Sequence, residues 1–168
     1  INNVAGDPHY GKRFIFFGTG SYFRSGDPAD TQTQSWYGLI DENAKITARS
    51  QLQARTITEG TFNGQNVRAF SEPSANDMVN KKGWNVDFTT QSGERIVTRS
   101  NYYKLTRPIL IASSIIPIVD PCVPGGRGYV NAINPFTGAA LSIGVFDINQ
   151  NNDFNDEKIG EKRIGGFD

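Results

Sequence analysis

Residues 108 to 119, PILIASSIIPIV, carry apolar side chains on both faces of any strand they form. Such a strand must be covered on both sides, so the chain has to supply a layered sheet structure around it. Pro117 has no N–H to give a ladder and is expected to end the run. The surrounding pattern is of period two. In GWNVDF, Trp84, Val86 and Phe88 fall on one side and Asn85 and Asp87 on the other, the alternation of a half-buried strand. Eighteen Gly, eleven Phe and six Tyr, with only 20% charged residues, fit strands and turns better than helices, and the expectation is an all-β fold.

Length and charge narrow the classes. The 168 residues amount to one domain, read as a single β-rich domain over 1–168 or as a fragment of a larger one. Seventeen basic and seventeen acidic residues leave no net charge, which argues against a nucleic-acid partner. No segment approaches the roughly 20 apolar residues of a membrane helix. The first residues lack the basic-then-apolar pattern of a signal peptide, so a secreted protein would be seen here after processing or as an excised piece.

Along the chain, RFIFFG and SWYGLID read as successive strands, and 46–60 reads as strand of ambiguous period. TFNGQNVRAF contains Asn63-Gly64 between apolar residues, a hairpin signal. Ser74 as an N-cap, two lysines and Gly83 predict a short helix over 74–82. SGER turns the chain, RIVTRSNYYKL continues as strand, and Tyr129, Asn131 and Ile133 alternate into the Asn134-Pro-Phe-Thr-Gly138 turn, after which another apolar strand is expected. Tyr102, Tyr103 and Trp36 are expected mostly in the core or in cross-strand pairs.

The chemistry concentrates at the C-terminal end. DINQNNDFNDE, residues 147–157, sets four acidic side chains among amides, and like charges this close repel unless something screens them. Calcium takes six to eight oxygen ligands, which an EF-hand loop supplies from alternate positions. Counted from Asp147, those positions hold Asn149, Asn151, Asp153 and Asn155, with Asp153 offering its carbonyl. Asn152 stands where glycine would give a left-handed turn and tolerates that conformation best after glycine. Ile148 and Phe154 are expected to pack against the protein. Position 12 is Lys158, not a bidentate Glu, so a second carboxylate must come from Asp156, Glu157 or elsewhere, and the affinity should be modest, about 10⁻⁴ to 10⁻³ M. A solvated Asn/Asp turn without an ion is the plain alternative.

Other constellations are poor. His9 is the only histidine, so neither a Ser/His/Asp triad nor a multi-histidine zinc site has its parts, and a nucleophilic Cys122 would need that histidine or a strongly positive neighbourhood, whereas Arg127 nearby stands among Pro and Gly that read as a turn. As the only cysteine, Cys122 forms no internal disulfide. Asp41 and Glu42 have no spacing that marks a glycosidase pair. The glycines of GTGSYF and PGGRG read as turns, since no strand-to-helix context surrounds them.

KKGWNVDFTTQSGERIVTRS (81–100) and RPILIASSIIPIVDPCVPGGRGYVNAINPFTGAAL (107–141) resemble the C-terminal domain of the PilY1/PilC family, tip-associated factors and adhesins of type IV pili. FFGTGSYF followed by DTQTQSWYGLID resembles an earlier segment of the same domain, and the segments occur in the family's order. Residues 46–80 match no motif of it. The resemblance implies β-propeller-like blades, of which this chain supplies some, and a non-enzymatic protein at the bacterial cell surface or pilus tip, reached through the periplasm. It implies Ca²⁺ at VFDINQNNDFNDEKIG, control of pilus extension against retraction, and adhesion. The implied partners are pilus subunits (minor pilins) and a host or abiotic surface. In that setting Cys122 either pairs with a cysteine outside this segment or stays a free thiol. Two alternatives stand beside it: a quinoprotein-like enzyme fragment, suggested by the Thr-Gly corner, and a calcium-stabilised carbohydrate-binding β-domain.

Overall fold

The computed structural model describes residues 11–43, 45–118 and 126–168, so His9 and Cys122 lie outside the described residues. Among the described residues there is no α-helix, and the all-β expectation holds. β1 (Arg13–Gly18) pairs antiparallel with β2 (Ser35–Asp41), with Phe14 opposite Ile40 and Phe17 opposite Tyr37. β3 (Gln53–Arg55) and β6 (Gly83–Asp87) complete this sheet in the order β1-β2-β6-β3, the β3–β6 pair being parallel. The second sheet runs β4-β5-β12-β9-β8-β7, from β4 (Ile57–Phe62), β5 (Gln65–Phe70), β12 (Gly166–Phe167), β9 (Val130–Ile133), β8 (Ile109–Ser113) and β7 (Asn101–Tyr103). A hairpin of β10 (Lys158–Ile159) and β11 (Lys162–Arg163) stands apart.

The two sheets bury a shared core. Trp36, Trp84 and Val86 from the first meet Phe70, Leu110, Ala112 and Ile133 from the second. Trp36 and Trp84 meet edge to face at 5.8 Å, and each indole N–H is satisfied, by Ser100 Oγ at 3.1 Å and the Pro135 carbonyl at 2.7 Å. The Asn134-Pro-Phe-Thr-Gly138 turn forms as expected. The Asn134 side chain accepts from the N–H groups of Phe136 and Thr137, and Gly138 takes φ +68°. The β4–β5 hairpin turns on Asn63 (φ +48°) and Gly64 (φ +76°), the left-handed pair that its sequence signals.

Three local expectations need correction. Residues 74–82 form consecutive turns, not a helix. Asn76 and Asn80 adopt φ of +64° and +62°, which breaks helical repetition, and Asp77 turns back to accept the Ser74 N–H and the Arg55 guanidinium. RIVTRSNYYKL is strand only at β7 and at a single antiparallel bridge between Arg95 and Ile115, while the Arg95 side chain donates to the carbonyls of Ser21, Asp27, Asp30 and Gly93. No strand forms directly after Gly138, the next being β10 at Lys158; the chain there is held by single bonds such as Ala140 N–H to the Ser71 carbonyl.

One polar cluster lies inside the second sheet. Arg68 donates to both oxygens of Glu94 at 2.7 and 2.9 Å and to Glu59 at 2.8 Å, and its guanidinium carbon stands 3.4 Å from the centre of the Tyr129 ring. Ser114 Oγ closes the cluster with a short bond to Glu94. Arg68 and Glu94 are fully buried. The pair pins the SGER turn to β5, which explains why a charged turn sits in the interior.

Candidate metal centre

The Asp147 segment curls because its side-chain oxygens turn back onto its own backbone. Asp147 Oδ1 accepts the N–H of Asn151 and Oδ2 that of Asn152, both at 3.0 Å. Asn149 Oδ1 accepts the same Asn151 N–H at 3.1 Å, Asn151 Oδ1 that of Asp153 at 2.7 Å, and Asp153 Oδ1 that of Asn155 at 2.9 Å. Short Asx side chains favour such local bonds, and the repeated pattern winds the chain. Asn152 takes φ +64°, as its place in the loop predicts, and Gln150 takes φ +59°, which its sequence does not signal.

Asp147, Asn149 and Asn151 are thus brought together, while Asp153 and Asn155 bond mainly to each other, Asn155 also accepting from Arg163 at 3.4 Å. Asp156 accepts from the side-chain amides of Asn149 at 3.0 Å and Asn151 at 2.7 Å. Glu157, which the loop pattern leaves outside the donor set, is only 2% exposed, and its Oε1 accepts the N–H groups of Ile148 at 2.7 Å and Asn149 at 3.2 Å.

Phe154 is a correction. Its ring is 42% exposed, and it is its backbone that packs, the carbonyl lying where a side chain on Gly144 would be. Ile148 is half-buried and lines a cavity of about 370 Å³ with Phe146, Asp147 and Phe167. Phe146 and Phe167 meet edge to face at 5.0 Å, so the loop's first residues rest on β12.

Every donor in the loop is oxygen, from carboxylates, amide carbonyls and backbone, which suits a hard cation such as Ca²⁺ and not thiophilic Zn²⁺. Among the described residues no group of three or more His, Cys, Asp or Glu is arranged to hold a metal, so any site here depends on amide oxygens. The other acidic pair flagged in the sequence is engaged in ion pairs, Asp41 with Arg13 at 2.7 Å and Glu42 with Lys12.

The molecule is therefore an all-β protein carrying an Asx-rich, oxygen-lined loop beside its larger sheet. Its sequence is 39% identical over 145 residues to the type IV pilus biogenesis factor PilY1 homolog of Xylella fastidiosa (strain Temecula1), covering 83% of this chain and 11% of that protein. It is 30% identical over 157 residues to the type IV pilus biogenesis factor PilY1 of Pseudomonas aeruginosa (strain PAO1), covering 80% and 13%. Against the factor of the same name in strain UCBPP-PA14 it is 28% identical over 160 residues, covering 80% and 14%. The chain is a PilY1-like protein. It spans only about an eighth of the length of these relatives. No family model matches it, and no solved structure matches it.

Proposed function

We propose that this chain is a non-enzymatic, calcium-binding part of a type IV pilus biogenesis factor, made of propeller-like blades and working at the bacterial surface or pilus tip. The observation that carries the reading is the wound loop 147–157, in which Asp147, Asn149 and Asn151 turn their side-chain oxygens back onto the loop's own backbone, in a chain whose relatives are named as pilus biogenesis factors. Asp147, Asn149, Asn151, Asp153 and Asn155 would hold the ion. Calcium supplies positive charge that offsets the repulsion among the loop's carboxylates.

The residues themselves do the rest. Asp147 closes the first turn, and Phe146 and Ile148 seat it on β12, so ordering of the loop also shapes the surface beside it. Such a surface, presented to minor pilins or to a host or abiotic surface, would change with external calcium, and in this reading that change biases pilus extension against retraction. The test is thermal unfolding of the chain in calcium and in excess chelator, with Asp147→Ala alongside. The wild type is expected to gain stability from calcium and the variant not; equal melting of both in both solutions removes the reading.

A further inference from the structure

Residue Glu157 poses a problem of its own. It is 2% exposed, its Oε1 is bonded to two backbone N–H groups of the loop, and its Oε2 is buried without any hydrogen-bond partner. Leaving a carboxylate oxygen buried and unmatched is costly, and proteins avoid it unless something else meets that atom. The two bonds through Oε1 fix the carboxyl group to the backbone of Ile148 and Asn149, the residues that follow Asp147 at the start of the loop.

Asp156, the other candidate for this place, is exposed, and its Oδ2 is already taken by the amides of Asn149 and Asn151. Lys158, at position 12 of the loop, begins β10 and is exposed. Glu157, the residue before it, is buried.

We infer that Glu157 is the second carboxylate of the cation site, coordinating a divalent cation of the calcium type through Oε2, one residue earlier than an EF-hand places its glutamate. The inference rests on the calcium reading of the loop and adds a residue to it. It also gives the ion a route to the fold. The carbonyl of Glu157 accepts the Ile164 N–H at 2.9 Å within the β10–β11 hairpin, and that hairpin rests on β4, with Ile159 against Gly60 and Lys162 bonded to Thr58 at 2.9 Å. An ion shared by Asp147 and Glu157 joins the two ends of the loop and fastens them to the six-stranded sheet.

The experiment is calcium titration of the full 168-residue chain by calorimetry, with hydrogen exchange at the amides of Ile148, Asn149 and Ile164. Glu157→Gln keeps the shape and the Oε1 acceptor while removing the charge. It is expected to bind calcium about 10- to 100-fold more weakly and to lose the calcium-dependent protection of those amides. Asp156→Asn should stay within about fivefold of wild type, the effect of one exposed charge. Wild-type affinity in Glu157→Gln overturns the role of Glu157 and leaves the loop's other ligands standing. A wild type that binds no calcium overturns both readings. Should Glu157→Gln lose the near-ultraviolet signal of the buried Trp36 and Trp84, Glu157→Asp decides instead: it retains the charge but not the reach, so a comparable weakening supports the role and unchanged affinity overturns it.

Discussion

The Trp84 ring occupies the space that a side chain on Gly138 would need. A Cβ at Gly138 would come within 2.4 Å of Trp84 Cδ2, and one at Gly38, on the neighbouring strand, within 2.3 Å of Trp84 Cε2. The indole is slotted between two glycines, and the turn after β9 is glycine-ended for that reason as well as for its φ of +68°.

Gly138→Ala is therefore expected to destabilise the protein by about 2 to 4 kcal/mol, the sum of a left-handed alanine and an overpacked core. Urea denaturation followed by tryptophan fluorescence measures it. A loss below about 0.5 kcal/mol would mean that the ring has room to move.

The buried Arg68–Glu94 pair gives a prediction of opposite character. Glu94→Leu strands a guanidinium that is fully buried and retains only Glu59 as a charged partner, and the expected cost is about 3 kcal/mol. Replacing both members by apolar residues, Arg68→Met with Glu94→Leu, should recover most of that loss, because no uncompensated charge remains. Equal destabilisation of single and double variants would show that the pair contributes more than it costs to desolvate.

Calcium at 10 mM against a site of about 10⁻³ to 10⁻⁴ M should add about 1.4 to 2.7 kcal/mol to folding. For a domain of this size the melting temperature then rises by about 3 to 10 °C. Differential scanning calorimetry in calcium and in chelator reads this directly, and magnesium should reproduce little of it, since it gives up its water shell reluctantly.

Acid should destabilise the fold through Asp77 and Asp87. Burial pulls both pKa values up, but the bonds from Arg55 (2.6 Å) and the Ser74 N–H hold Asp77 below its usual 3.8, and those from Ser35 (2.6 Å) and Arg49 (2.5 Å) do the same for Asp87. A carboxylate depressed on folding stabilises fully above its unfolded value, and that contribution is lost as pH falls through the lower folded value. Melting temperatures should thus fall steeply below about pH 4, and Asp77→Asn with Asp87→Asn should flatten that acid limb. An unchanged acid limb in the double variant would assign the acid loss to other groups.

Some elements were legible because their causes are local. β6 follows from alternating side chains, the β4–β5 hairpin from Asn63-Gly64, and the wound loop from Asx residues that bond to backbone two to five positions on. The helix expected at 74–82 failed because Asn76 and Asn80 take left-handed conformations in a turn that Asp77 and Arg55 tie down from β3. Glu157 was named in sequence only as one of two open choices beside Asp156, since nothing nearby says which acid is covered.

What the sequence determined by itself is the strand-and-turn character, the hairpin, the oxygen-rich loop and the family likeness, since side-chain period and backbone preference act over a few residues. What only the tertiary structure decided is which groups are enclosed. The C-terminal Gly166–Phe167 slips between β5 and β9, the charged Arg68 and Glu94 meet inside the sheet, and Glu157 is folded under the loop with one oxygen unmatched. Enclosure depends on segments far apart in the chain closing over one another, and no local pattern encodes that.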